Sequence, residues 1–199
     1  MTSDINARLT TTLAKIDEAN ARDPNIETVN SEPVARELLY ALRMTHTLDE
    51  LIPDASEHLR IAARAQHIER WTSPRSAYPE GRSGYKKWRS QLMLFHASRA
   101  AELMIESGYP QADIDRVKYL IQKRGLNRDP ETQQLEDVIC LVFIKYYLKD
   151  FAEQHPEDKL IDIIQKTWGK MSPVGRQRAL ELNLDAGLQS LISKALSGG

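Results

Sequence analysis

Three histidines and one aspartate of this chain stand where polar side chains would be carried into apolar surroundings. His67 lies in Ala65-Gln66-His67-Ile68 and His96 in Leu94-Phe95-His96-Ala97. Asp137 follows Glu136 at the opening of the most apolar run, Leu135 to Phe151, and His46 ends the helix that Ser31-Glu32-Pro33 would begin. A buried imidazole or carboxylate without a partner costs about 1–3 kcal/mol. One divalent ion shared by His46, His67, His96 and Asp137 would satisfy all four, with nitrogen and oxygen donors that suit Zn, Mn, Fe or Co. Such an ion lowers the pKa of bound water toward about 7 and polarises a phosphoryl oxygen. Glu69 and Glu136 would then be the proton acceptors. Taken singly, each histidine also reads as a hydrogen-bonded structural residue, and Glu136-Asp137 as acids facing a helix dipole. His58 and His155 stand beside charged residues and read as surface.

A basic segment accompanies these residues. Arg64, Arg70, Arg75, Arg82, Lys86, Lys87 and Arg89 are opposed only by Glu69 and Glu80, although the whole chain carries a net charge of −1. Guanidinium groups fit phosphate oxygens in pairs, and the interleaved Trp71, Tyr78, Tyr85 and Trp88 could stack on a base or sugar. Arg75, Arg82, Arg89 and Lys123 are the expected phosphate contacts. The alternative is a solvated basic face, or arginines that pin an irregular loop.

The elements that must position these groups are nearly all helical. Ile5, Leu9, Leu13 and Ile16 recur at helical spacing behind Ser3 as a cap. Proline in the first turn suits a second helix from Ser31-Glu32-Pro33, with Val34, Leu38, Leu39 and Leu42 inward. A third helix is expected to run through Leu59 to Ile68. Pro74, Pro79, Gly81 and Gly84 make the segment 72–84 a long loop, a kind often functional. Then come a long helix over 85–106 ended by Ser107-Gly108, a short one over 112–123, the apolar helix 135–151, and helices over 157–168 and 173–182, the last capped by Ser172. A final helix would end in a disordered Ser197-Gly198-Gly199 tail. No repeat or linker divides the sequence, so the expectation is one all-α domain over 1–199, a helical bundle with its core at about 33–152 and helices 156–196 packed on it.

Composition sets the frame. The 199 residues are 41% hydrophobic and 28% charged, a globular balance that excludes a globally basic nucleic-acid or membrane binder. The single cysteine, Cys140, allows no internal disulfide and reads as a buried, inert thiol. The first residues lack an apolar signal core, and no run approaches the roughly 18 apolar residues of a membrane span, so a cytoplasmic protein without a membrane partner is expected. Lys170-Met171-Ser172 imitates part of a tRNA-synthetase signature, but no parallel strands accompany it. No nucleophile elbow, phosphate-binding glycine loop or dinucleotide fingerprint occurs.

From about Leu38 to Phe151 the order of His46, Gln66-His67-Ile68, His96 and Asp137 resembles the HD superfamily of all-α, metal-dependent phosphohydrolases. There a histidine, a His-Asp pair and a distant aspartate hold the metal, and some members add histidines between. Here no His-Asp dipeptide occurs, and Lys123 stands where a second added histidine is sometimes found. A degenerate, mononuclear or metal-free site is therefore open. At finer grain, Gln66-His67-Ile68-Glu69-Arg70-Trp71, Pro74-Arg75, Tyr78-Pro79, Gly84-Tyr85, Trp88-Arg89, Phe95-His96-Ala97, Asp129-Pro130-Glu131 and Leu135-Glu136-Asp137-Val138 resemble a family known as domain of unknown function 4202. The finer resemblance supplies no activity; the HD resemblance implies a metal-dependent phosphohydrolase-like protein acting on a phosphate-containing small molecule, a phosphoester or a nucleotide. The alternative is a non-catalytic nucleotide- or RNA-binding module on the same scaffold, and an iron-dependent oxygenase is a third reading.

Overall fold

The periodicity of Leu9, Leu13 and Ile16 becomes, in the computed structural model, the helix α1 (Thr2–Asn20), with Ile16 fully buried. The structure describes residues 2–197, with side chains from residue 7 onward. The side chains of Ser3 and Ile5, and the end of the tail at Gly198-Gly199, lie outside the described residues. Among the described residues the chain is almost wholly helical, and the only sheet is one two-stranded hairpin.

That hairpin replaces the expected start of the second helix. Strands β1 (Ile26–Val29) and β2 (Glu32–Ala35) pair antiparallel, with Thr28 opposite Pro33. The connecting Asn30 and Ser31 have φ of 51° and 70°, the positive pair that a two-residue hairpin turn demands and that asparagine tolerates. Helix α2 (Arg36–Leu51) starts only after it. Its cap comes from far back in the chain, where the buried Asp23 accepts a hydrogen bond from the Glu37 backbone N–H at 3.1 Å. The inward face of α2 is Glu37, Tyr40, Ala41, Met44 and Leu48, at the three- and four-residue spacing of one helical stripe. Of the expected face, Leu39 is buried and Val34 and Leu38 are half-buried, whereas Leu42 is exposed.

Helix α3 (Glu57–Arg64) is capped by Ser56 and is shorter than expected. Its last residue, Arg64, binds both carboxylate oxygens of Asp17 at 2.6 Å and the Thr45 hydroxyl at 2.9 Å. One guanidinium thus ties α1, α2 and α3 together, which removes it from any ligand-binding role. Short 3-10 turns at Arg70–Thr72 and Arg75–Ala77 lead into α4 (Gly81–Glu106), which ends at Gly108 with φ 78°, as the sequence predicts. Helix α5 (Gln111–Ile121) packs on α3 and α4.

By internal packing the chain divides into two compact units, residues 1–124 and 125–199, and the expected core of 33–152 runs across that division. In the second unit, α6 (Pro130–Val142) starts at the predicted Asp129-Pro130, where the Asp129 carboxylate accepts from Thr132 N–H at 2.9 Å. The single helix expected over 135–151 is interrupted by a π turn at Phe143–Tyr147 before α7 (Leu148–Glu153). Helices α8 (Glu157–Trp168), α9 (Pro173–Leu180, capped by Ser172) and α10 (Ala186–Ser197) follow. Cys140 is buried, as expected. No helix among the described residues is long and apolar enough to cross a membrane.

The approach of α4 to the preceding loop depends on a missing side chain. A Cβ at Gly84 would lie 1.9 Å from the Pro79 carbonyl oxygen. Gly84→Ala is expected to destabilise the protein by about 1–3 kcal/mol, the usual cost of overpacking. Urea unfolding measures it, and an unchanged midpoint would contradict the close approach.

Candidate functional site

The turn after α3 carries the chemistry. The chain leaves the helix at Ala65, and Glu69 adopts a left-handed conformation with φ 50°. His67 therefore lies in a tight turn, not late in a helix, and the reversal brings Arg70 back onto it. Three groups fasten this conformation, which costs a non-glycine residue roughly 1–3 kcal/mol. The Asn20 side-chain oxygen accepts from Glu69 N–H at 3.0 Å, and Arg99 Nε donates to the Glu69 carboxylate at 2.7 Å. His96 Nδ1–H donates to the Ile68 carbonyl at 2.8 Å.

Around the turn, α2 supplies Glu37 and Tyr40. The Tyr40 ring stacks on His67 with centroids 3.8 Å apart and planes 11° from parallel. Glu37 Oε2 lies 3.4 Å from His67 Nδ1, and Arg70 Nη1 lies 3.1 Å from Nε2 and 3.2 Å from Nδ1. The Arg70 guanidinium in turn covers Trp88, 5.2 Å from its ring centre. The His96 ring centre is 6.0 Å from that of His67. With Nδ1 committed to Ile68, His96 Nε2 carries the lone pair, and it is buried without a hydrogen-bond partner.

The electrostatics follow from burial and from an excess of cations. Burial holds His67 well below its ordinary pKa, and the charges of Arg70, Arg89 and Lys123 push the same way. His96 is pushed down to about 3, chiefly by burial, with Arg70 and Arg89 contributing. Glu37, 7% exposed, is raised from 4.5 to about 7 by burial, which outweighs the attraction of Arg70. Two neutral imidazoles and one half-ionised carboxyl thus share a place with three permanent cations.

The expected metal ligands are only partly brought together. His67 and His96 are neighbours. His46 is 61% exposed and sits 3.3 Å from Glu50 on its own helix. Asp137, in the second unit, accepts hydrogen bonds from the Ser172 backbone N–H at 2.8 Å, the Ser172 hydroxyl at 2.5 Å and Gln133 at 3.2 Å. It fastens α6 to the start of α9. Of the two expected proton acceptors, Glu69 is paired with Arg99, and Glu136 is buried 3.8 Å from Lys170. Among the described residues, the one trio of His, Cys, Asp or Glu side chains with ligand atoms within 4.8 Å of one another is Glu57, His58 and Asp113. His58 bonds Asp113 at 3.0 Å and Glu57 accepts from the Tyr109 hydroxyl at 2.9 Å. His58 is therefore a half-buried strut and not a free surface group.

The basic loop divides in the same way. Arg75 donates to the carbonyls of Tyr78 and Pro79 at 2.9 Å each and so pins the loop. Trp88 Nε1–H donates to the Ser73 carbonyl and the Tyr78 hydroxyl to Gln91. Arg82, Lys86 and Lys87 are exposed, as is the Tyr85 ring. Arg70 touches His67, and the charge of Arg89 bears on it.

A family model described as domain of unknown function (DUF4202) matches residues 10–192. The chain belongs to that family. No curated protein and no solved structure matches it. The matched DUF4202 stretch includes Glu37, Tyr40, Arg70 and Lys123 as well as the histidines, so the whole constellation lies inside the family's own span.

Glu37 and Tyr40 are the functional candidates that the sequence reading missed. The signal was the phase of Glu37 with Ala41, Met44 and Leu48, which marks an acid on an inward face. Glu37 binds its proton more tightly folded than unfolded. Its contribution to stability is therefore full below pH 4.5 and is lost as pH rises through 7. Glu37→Gln, which cannot ionise, should gain on the wild type as pH rises from 4.5 to about 8, by roughly 2–3 kcal/mol at the upper end. Urea unfolding across that range tests this, and a pH-independent difference would contradict it. His96 has the opposite sign, its contribution being present above pH 6.5 and lost as pH falls toward 3. Nitrogen-15 imidazole spectra at pH 5 should show His96 neutral with the proton on Nδ1, and a doubly protonated ring would contradict its burial.

Proposed function

We propose that this chain is a phosphohydrolase-like protein that binds a phosphoester or nucleotide at the turn carrying His67. The observation that carries the reading is the charge imbalance there: Arg70, Arg89 and Lys123 bear on an imidazole that their charge and its burial keep neutral. A phosphate dianion would balance it, and guanidinium groups hold phosphate oxygens through short, charge-assisted bonds. Glu37, held near neutrality, is suited to giving and taking a proton at pH 7. Of the expected phosphate contacts, Arg89 and Lys123 serve this reading. Arg82 lies on the exposed first turn of α4, and Arg75 is occupied by backbone carbonyls.

The divalent ion implied by the HD resemblance fits these residues poorly. His96 alone has the right form, a buried free Nε2 with the other ring nitrogen fixed by a carbonyl. At His67 a guanidinium stands within 3.2 Å of both ring nitrogens. His46 lies exposed beside Glu50, and the Asp137 oxygens already accept three hydrogen bonds. No step is therefore assigned to Zn, Mn, Fe or Co. Metal analysis of protein purified without chelator gives the check, since stoichiometric metal lost in His96→Ala would restore the metal-dependent reading.

A second reading, nucleotide or RNA binding without turnover, is favoured by the exposed Tyr85 ring between Arg82 and Lys86-Lys87. Stacking on an aromatic ring beside cations is the usual means of holding single-stranded bases.

Titration of a nucleoside monophosphate by calorimetry tests both. Arg89→Gln should weaken binding by about 10- to 100-fold, the worth of one hydrogen bond to a charged group. Unchanged affinity, or no binding to the wild type, would contradict the site. Phosphate release abolished by His67→Ala would select the hydrolase. Binding that weakens steeply with salt, without turnover, would select the second reading.

A further inference from the structure

Resting on the phosphoester reading, we infer that His67 is a nucleophile that accepts the phosphoryl group on Nε2, oriented by Glu37 and covered by Arg70. Four features of the site point to this chemistry. The Glu37 carboxylate lies on the Nδ1 side of the ring at 3.4 Å, which directs the ring proton to Nδ1 and leaves the lone pair on Nε2. Tyr40 stacks flat on the imidazole and fixes its plane. Arg70 Nη1 donates to the Nε2 lone pair at 3.1 Å; as the N–P bond forms, this donor must pass from the nitrogen to the phosphoryl oxygens, where it meets their charge. The His67 side chain keeps 15% of its surface open.

The step balances without a metal. The Nε2 lone pair forms a bond to phosphorus while the ester P–O bond breaks, and its electron pair leaves on the ester oxygen. Where that oxygen is basic it takes a proton from water. The ring of the adduct is cationic, and the Glu37 carboxylate faces its Nδ1–H. The hydroxide left from that water then adds to phosphorus, the N–P pair returns to Nε2, and phosphate departs. One water is consumed overall. Arg70, Arg89 and Lys123 meet the negative charge throughout, which is the work expected of cations in phosphoryl transfer. Glu37 acts here through His67 and is a positioning residue.

The test uses the full chain with acetyl phosphate, whose leaving group needs no proton. Reactions are quenched in alkali, because N-phosphorylated imidazole is labile to acid, and mapped by mass spectrometry. One phosphoryl group on His67 is expected, absent from a His67→Asn variant whose circular dichroism matches the wild type. Glu37→Gln should form the same adduct at least about tenfold more slowly, as loss of an orienting partner does. A wild-type chain that forms no adduct at rapid-quench times, or carries it on another residue, overturns the inference, as does labelling of Glu37→Gln at the wild-type rate. The phosphoester reading is separable, because nucleoside monophosphate binding to the same sample would persist when the nucleophile assignment fails.

Discussion

The left-handed backbone at Glu69 is the constraint on which the site depends. Helix α3 has already ended at Ala65, and it is the reversal at Glu69 that turns Arg70 back onto His67. Its cost is met by three contacts from two other helices: Asn20 of α1 on the backbone N–H, Arg99 of α4 on the carboxylate, and His96 of α4 on the preceding carbonyl. Strained backbone persists where the surroundings over-determine it, and such places gather at functional sites. The same contact that secures the turn fixes the tautomer of His96, so folding and site electrostatics are settled by one hydrogen bond.

From this geometry follows the sign of the site. Burial and the charges of Arg70, Arg89 and Lys123 disfavour protonation of the imidazoles, the Glu69 carboxylate is paired with Arg99, and Glu37 is buried enough to hold its proton near neutral pH. A cation adds to that imbalance, whereas a phosphate removes it. Of the four residues expected to share a metal, only His67 and His96 are neighbours, and the proposed anion site uses that pair's surroundings.

Much of the fold was legible because helical periodicity and capping are local. Asp129-Pro130, Ser172-Pro173 and Ser107-Gly108 mark boundaries where the structure has them. The hairpin before α2 was not legible, since Ser31-Glu32-Pro33 also fits a helix start and the pairing that decides it lies across the turn. Nor was the break after Arg64, because Ala65-Gln66-His67-Ile68 has good helical pattern and is overruled by tertiary contacts at Glu69. At the site, the histidines His67 and His96 were legible as polar residues in apolar runs. Glu37 was hidden because the expected inward stripe of α2 ran through Leu38, Leu39 and Leu42, of which only Leu39 is buried. Sequence cannot tell an arginine facing a ligand from one that braces the fold: Arg64 joins three helices and Arg75 closes a loop.

A crystal structure of the full chain grown with tungstate, a heavy tetrahedral dianion, tests the central claim most directly. The account predicts the anion bound at His67, against the guanidinium groups of Arg70 and Arg89. An anion held only elsewhere, or a metal ion coordinated by His67 and His96 in its place, would contradict it.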